Sequence, residues 1–200
     1  MITIPTSVWG IISVVLACAA LGPYLWATIK GTNKPHIFTW IIWTLLTAVA
    51  FLIQYLEGAG SGAWSGGVST VFCLAILIAS IKNGEKDIRK IDWIVFGAAL
   101  LAIPIWLITQ NPLWAAIWVT GIDSLGYVPT IRKSWLKPYE EMVTTHLISA
   151  FKHIAVLLAV EAISPTTTIY SIGMVVMNGL LVGSIMLSRR FVKLRLKTIS

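Results

Sequence analysis

The chain has 200 residues, 57% of them hydrophobic and 12% charged, with a mean hydropathy of +0.84 and a formal net charge of +7. Soluble domains carry about a quarter charged residues, so this balance excludes a water-soluble globular domain and predicts one integral membrane domain. The apolar stretch nearest the N-terminus has neither a basic leader nor a small-residue cleavage site, and reads as a retained span instead of a signal peptide.

A helix needs about 20 apolar residues to cross a hydrocarbon core about 30 Å thick. Seven runs meet or approach this length, at 9–30, 36–56, 62–82, 92–109, 112–131, 140–161 and 166–188. Turn signals separate them: Gly31 to Pro35, Gly58 to Gly62, Asn83 and Gly84, Asn111 and Pro112, Lys137 and Pro138, Ser164 and Pro165. Continuous apolar runs of this length fit helices and not barrel strands. The expected fold is therefore all-α with seven transmembrane helices. Cys18 and Cys73 fall inside spans and read as small buried residues with no disulfide.

Basic residues fix the expected orientation. Lys30 and Lys34 follow the first span; Lys82, Lys86, Arg89 and Lys90 follow the third; Arg132, Lys133 and Lys137 follow the fifth. Arg189, Arg190, Lys193, Arg195 and Lys197 follow the last. The intervening loops carry none, which predicts the N-terminus outside and the C-terminus in the cytoplasm. The positive charge reads as a collar facing lipid headgroups, and nothing in it calls for nucleic acid.

The chain also reads as repeating itself. A shift of 103 residues superposes Tyr24 on Tyr127, Lys30 on Lys133, and Lys34-Pro35 on Lys137-Pro138, whereas a shift of 106 superposes Pro23 on Pro129. Either register sets spans one to three on spans five to seven, in the same orientation because one span intervenes. The predicted organisation is a first three-helix repeat (1–84), a linker helix (85–110), a second repeat (111–188) and a basic cytoplasmic tail (189–200).

This three-plus-one-plus-three order, with Pro23 and Pro129 near the cytoplasmic ends of the first and fifth spans, resembles the SWEET and PQ-loop superfamily of membrane transporters; vitamin transporters of the nicotinamide-riboside type share the architecture. Pro23-Tyr24 and Pro129-Thr130 stand where PQ-loop proteins carry Pro-Gln. The resemblance implies hinge or gating roles for Pro23 and Pro129, and a solute-binding role for Asn178 in the last span. The matching place in the third span, Phe72 to Ala75, has no asparagine.

Asp123 lies near the middle of the fifth span, about 16 Å deep at 1.5 Å per residue. An ionised carboxylate there costs at least a few kcal/mol unless paired or wetted, so it should face the bundle interior. Lys152, His146 and His153 lie in the sixth span; His146 and His153, seven apart, share a face, and His146 and Lys152 do not. Either His146 or Lys152 is expected to face Asp123. The cluster reads as a buried ion pair holding helices together, or as a site for a polar solute or a coupling proton. Trp40 and Trp43 in FTWIIW are interfacial anchors or, if they point inward, a stacking surface. Trp106, Trp114 and Trp118 read as belt residues toward the other face, and Glu161 as an interfacial acid. Ser69, Thr70, Ser124, Thr144, Thr145 and Ser149 could supply hydroxyls.

Catalytic signatures are absent: His146, His153 and Asp123 lack metalloprotease spacing, and the glycine-rich GAGSGAWSGG at 58–67 has no following Lys-Ser/Thr and reads as a turn. No enzyme activity, metal or cofactor is expected. The expected function is transport of a small polar solute, sugar-like or another small metabolite, by alternating access across the cell membrane, of the bacterial inner-membrane kind. The expected partners are the lipid bilayer and that solute, with self-association left open. The alternative is a non-transporting scaffold or receptor-like protein whose buried polar cluster is structural.

Overall fold

The computed structural model describes residues 4–32, 35, 37–84, 90–127, 131, 135, 139 and 143–199. Every regular element among them is helical: α1 (Thr6–Ile29), α2 (Ile37–Leu56), a short 3-10 turn (Gly60–Ala63), α3 (Trp64–Asn83), α4 (Lys90–Leu100), α5 (Ala102–Thr109), α6 (Pro112–Leu125), α7 (Val143–Ala159) and α8 (Pro165–Ile199). Four stretches are long and apolar enough to cross a membrane: Thr6–Ile29, Ile37–Leu56, Gly60–Asn83 and Pro165–Leu194. Shorter apolar helices cover Phe96–Thr109 and His146–Ala159.

The expected fourth span is divided. Pro104 has no amide to offer the carbonyl of Leu100, and its ring crowds that carbonyl. Accordingly α4 ends at Leu100 and α5 resumes at Ala102. The helices of the C-terminal half start where the turn signals stand. Asn111 accepts the Leu113 amide through its side chain at 3.0 Å, with Pro112 in the first helical turn. Ser164 does the same for Thr167 at 3.2 Å, with Pro165 opening α8. At the end of α2, Gly58 adopts φ +78°, and the Gly58 and Ala59 amides donate back to the Tyr55 and Gln54 carbonyls. That left-handed cap is the reason a glycine stands there.

Packing is inside out relative to a soluble protein. Ile108, Ile163, Val71 and Ile94 are all at least 66% exposed, while Ser13, Thr28, Gln54, Ser69, His153 and Asn178 are at most 6% exposed. A hydrocarbon surround explains both, since lipid accepts the aliphatic side chains and polar groups must find partners within the bundle. Several hydroxyls bond a carbonyl one turn back on their own helix, as Thr28 does to Tyr24, Thr70 to Gly66 and Ser80 to Ile76.

α3 packs against both α1 and α2, and α8 packs against both α6 and α7. Across the molecule α1 meets α7, and α2 meets α6. The α4–α5 rod lies outside, against α2 and α6. Its apolar seam is filled by Phe38, Ile42, Leu46, Ala99, Ala102 and Val119.

At the end of the bundle carrying Leu56 and Ala159, the two halves are tied by a latch. The Glu161 and Ala162 amides donate to the Ala59 and Gly58 carbonyls, both at 3.1 Å. The Ser61 amide donates to Glu161 Oε1 at 3.0 Å, and the Ser61 hydroxyl donates to the Ala159 carbonyl at 2.9 Å. The exposed Glu161 carboxyl is held below its ordinary value, chiefly by that Ser61 amide.

Candidate solute site

A cavity of about 300 Å³ lies between the two halves. Six helices line it: α1, α2, α3, α6, α7 and α8; α4 and α5 contribute nothing. The sequence placed Asp123, Lys152, His146, Asn178, Trp40 and Trp43 at a candidate site, and all six line this one space. Pro23 lies within an unbroken α1 and is exposed, next to the lining residue Tyr24. Pro129 lies outside the described residues, as do Thr130, Lys34, Lys133, Lys137 and Pro138.

The lining follows a repeat. Asp123 on α6, with Gly126 and Tyr127 just past its end, lines the cavity 106 residues after the lining residues Ala17, Ala20 and Leu21 of α1. On α7, His146, Ser149 and His153 follow Trp40, Trp43 and Thr47 of α2 by the same 106. On α8, Met174 and Asn178 follow Ser69 and Cys73 of α3 by 105. The offset of 106 on the first two helix pairs is the one that sets Pro23 on Pro129; the third pair corresponds at 105. Cys73 occupies the place corresponding to Asn178.

Although the lining positions correspond, their chemistry does not. The N-terminal half contributes an aromatic and apolar wall. Trp40, 3% exposed, packs on Tyr24 with ring centres 5.0 Å apart and meets Trp43 edge-on at 5.1 Å. The belt reading of this pair is thus replaced by an inward one for Trp40, because its indole seats against Tyr24, Cys73 and Ile76. Trp118 also turns inward, donating from Nε1 to the Ala98 carbonyl at 2.7 Å, whereas Trp114 is 55% exposed.

The C-terminal half contributes a polar wall organised by α8. Tyr170, Met174, Asn178 and Leu181 recur at helical spacing along one face of it. The Tyr170 hydroxyl donates to Asp123 Oδ2 at 2.8 Å. Asn178 donates from Nδ2 to the Tyr127 hydroxyl and to the Met174 carbonyl, each at 2.8 Å. His146 Nδ1 donates to Asn178 Oδ1 at 3.3 Å, and His153 Nδ1 is hydrogen-bonded to Ser171 at 3.4 Å. The hydrogen-bonded partner of Asp123 is therefore Tyr170, and not His146 or Lys152. The reason is geometric: α7 meets α8 and α1, so its histidines reach α8 before they reach α6.

Lys152 lines the same cavity on α7. Among the described residues its ammonium has no hydrogen bond and no carboxylate within ion-pair distance, and Asp123 Oδ1 likewise has no partner. Neither atom is sealed away, since the one enclosed side-chain polar atom without a partner among the described residues is Ser69 Oγ. Both charges thus open onto the cavity. Beyond Lys152, a void of about 20 Å³ leads toward Gln54 and Ser65. There Gln54 Nε2 donates to the Thr167 carbonyl at 3.1 Å, and the latch lies past it.

Sequence reasoning did not single out Tyr170, or Cys73 and Tyr24 as lining residues. Tyr170 was recoverable, because it lies eight residues before Asn178 and so on the same helix face. No metal-binding group of histidine, cysteine and acid is present among the described residues. Comparison with family models, with curated proteins and with solved structures finds no match for this chain.

Proposed function

We propose that the chain is a transporter of a small polar solute, built as two like-oriented three-helix units joined by the α4–α5 linker and working by alternating access. One observation carries this reading: a single cavity of about 300 Å³ is lined from both halves at positions related by offsets of 106 or 105 residues. The packing supports it, because in each half the third helix lies against the other two, and the contacts α1–α7 and α2–α6 exchange under a two-fold operation. A cavity shared by two equivalent bodies is the geometry that a rocking carrier requires.

With the N-terminus outside, the latch of residues 57–63 on 159–162 closes the outer end, and the cavity extends toward the cytoplasmic ends of α2 and α7. The organisation resembles the SWEET and PQ-loop superfamily. Pro23, and Pro129 in the corresponding position, serve as hinges in this reading, and the cell membrane is the site of action. The test is reconstitution of the full chain in liposomes. Saturable uptake stimulated by solute preloaded on the far side is expected; binding without flux of any solute that binds overturns it.

A second reading, a scaffold whose polar cluster only fastens helices, draws on the Tyr170–Asp123 bond and the His146–Asn178–Tyr127 chain, which join α6, α7 and α8. It predicts that Asp123→Asn alters melting and nothing else.

A further inference from the structure

We infer that the cavity takes a zwitterion with an apolar body, of the size of one amino acid, its carboxylate at Lys152, its ammonium at Asp123 and its body against Trp40, Trp43 and Tyr24. The inference deepens the carrier reading by naming the solute class, and the binding part of it stands without that reading.

The argument starts from the two charges. Lys152 and Asp123 line one cavity from α7 and α6, helices that hardly touch each other among the described residues. Among the described residues neither the ammonium nor Oδ1 makes a hydrogen bond or a close ion pair, although the two opposite charges attract one another. Charges in a bilayer-embedded interior are costly unless they are paired or hydrogen-bonded. Candidate solutes differ in how many of the two they satisfy. A simple anion serves Lys152 and places a second negative charge before Asp123; a simple cation does the reverse. A neutral sugar offers only hydroxyls to both. A molecule carrying ammonium and carboxylate together satisfies both at once, and adds no net charge to the cavity.

The remaining walls specify the rest of the molecule. Tyr170 holds the other carboxylate oxygen of Asp123, which leaves Oδ1 as the free acceptor for an incoming N–H. Opposite them, Tyr24, Trp40 and Trp43 form a continuous ring-to-ring surface. That surface matches an aliphatic or aromatic body and is wasted on a small polar one. A volume of about 300 Å³ sits at the small end of ligand pockets. It admits one such molecule and excludes peptides and nucleotides.

The experiment uses the full chain purified in detergent, read by melting temperature and by quenching of tryptophan fluorescence. The probes are L-phenylalanine and L-leucine, the single-charge analogues phenethylamine and 3-phenylpropionate, and glucose. The zwitterions are expected to bind, with each single-charge analogue weaker by about tenfold or more. Lys152→Met is expected to abolish the preference for phenylalanine over phenethylamine, and Asp123→Asn the preference over 3-phenylpropionate. Ile108→Ala, on the lipid-exposed linker, should change neither. Equal or tighter binding of glucose or of a single-charge analogue by the unaltered chain overturns the inference, as does undiminished selectivity in a folded Lys152→Met. The analogue series on the unaltered chain decides the matter even where a variant does not fold. Glucose flux in liposomes without zwitterion binding sinks the inference and leaves the carrier; zwitterion binding without flux does the opposite.

Discussion

Tyr170 donates its hydroxyl to Oδ2 of Asp123 at 2.8 Å, so the carboxylate of α6 is oriented from α8. The bond fixes one carboxylate oxygen and presents the other to the cavity. Tyr170→Phe keeps the ring, including its edge-on contact with His153 at 5.7 Å, and removes only the donor. Leaving the acceptor without its partner is expected to lower stability by about 1–3 kcal/mol, read from melting in detergent. A double-mutant cycle with Asp123→Asn should give a coupling of comparable size; additive effects would show that the pair does not interact.

Asn178, 1% exposed, joins three elements at once by bonding Tyr127, the Met174 carbonyl and His146. Asn178→Ala therefore removes a hub and leaves several buried polar atoms unpaired, for an expected cost of about 2–4 kcal/mol. His146→Ala frees one long contact of a half-buried ring and should cost about 1 kcal/mol. Chemical denaturation of the two variants checks the order, and an equal or inverted cost would argue against Asn178 as the junction.

The charged part of the site was readable because charges are so rare in this chain. Asp123 and Lys152 stand out in apolar runs, and burial cost alone points them inward. Most helix starts were readable to within a few residues for the same reason, helped by Asn111-Pro112 and Ser164-Pro165, but the last helix continues to Ile199, well past the expected end at 188. Residues that look ordinary in either setting were not readable. A tyrosine suits the membrane interface as well as the core, so Tyr170 and Tyr24 carried no signal of their own. Trp40 was ambiguous for the same reason, and only the packing of α2 on α3 turns it inward. The repeat register needed lining residues: identities such as Tyr24 with Tyr127 favour a shift of 103, whereas the cavity aligns Leu21 with Tyr127.

Gly60 holds the latch in a conformation that other residues resist. Its φ is +56°, and a Cβ built there would overlap the Glu161 carboxylate. Gly62 is also tight, though less so, with its would-be Cβ 3.0 Å from the Val160 backbone. Gly60→Ala is expected to cost about 1–2 kcal/mol from the left-handed backbone alone, and to displace Glu161 from the Ser61 amide. On the carrier reading, the variant also shifts the population toward outward-open forms. The measurement is labelling by an impermeant thiol reagent of a cysteine introduced at Ser65, just inside the latch, in a Cys18→Ala background. Faster labelling in Gly60→Ala than in its Gly60 parent is expected, and an unchanged rate would mean the latch does not gate that end.

Glu161 gives the latch a dependence on pH whose sign follows from its bonding. The Ser61 amide favours the ionised carboxylate, which lowers the folded-state value beneath the ordinary 4.5. A group depressed in this way contributes stability that is fully present above 4.5 and is lost as pH falls through the lower, folded-state value. The carboxylate is exposed and screened by solvent, so the contribution is small. The expected result is a loss of melting temperature on acidification below pH 4.5 that is larger in the unaltered chain than in Glu161→Gln, with the two converging at the acid end. Parallel profiles across that window would mean that the Ser61 contact does not hold the loop in solution, and that the latch rests on its backbone bonds between residues 58–59 and 161–162.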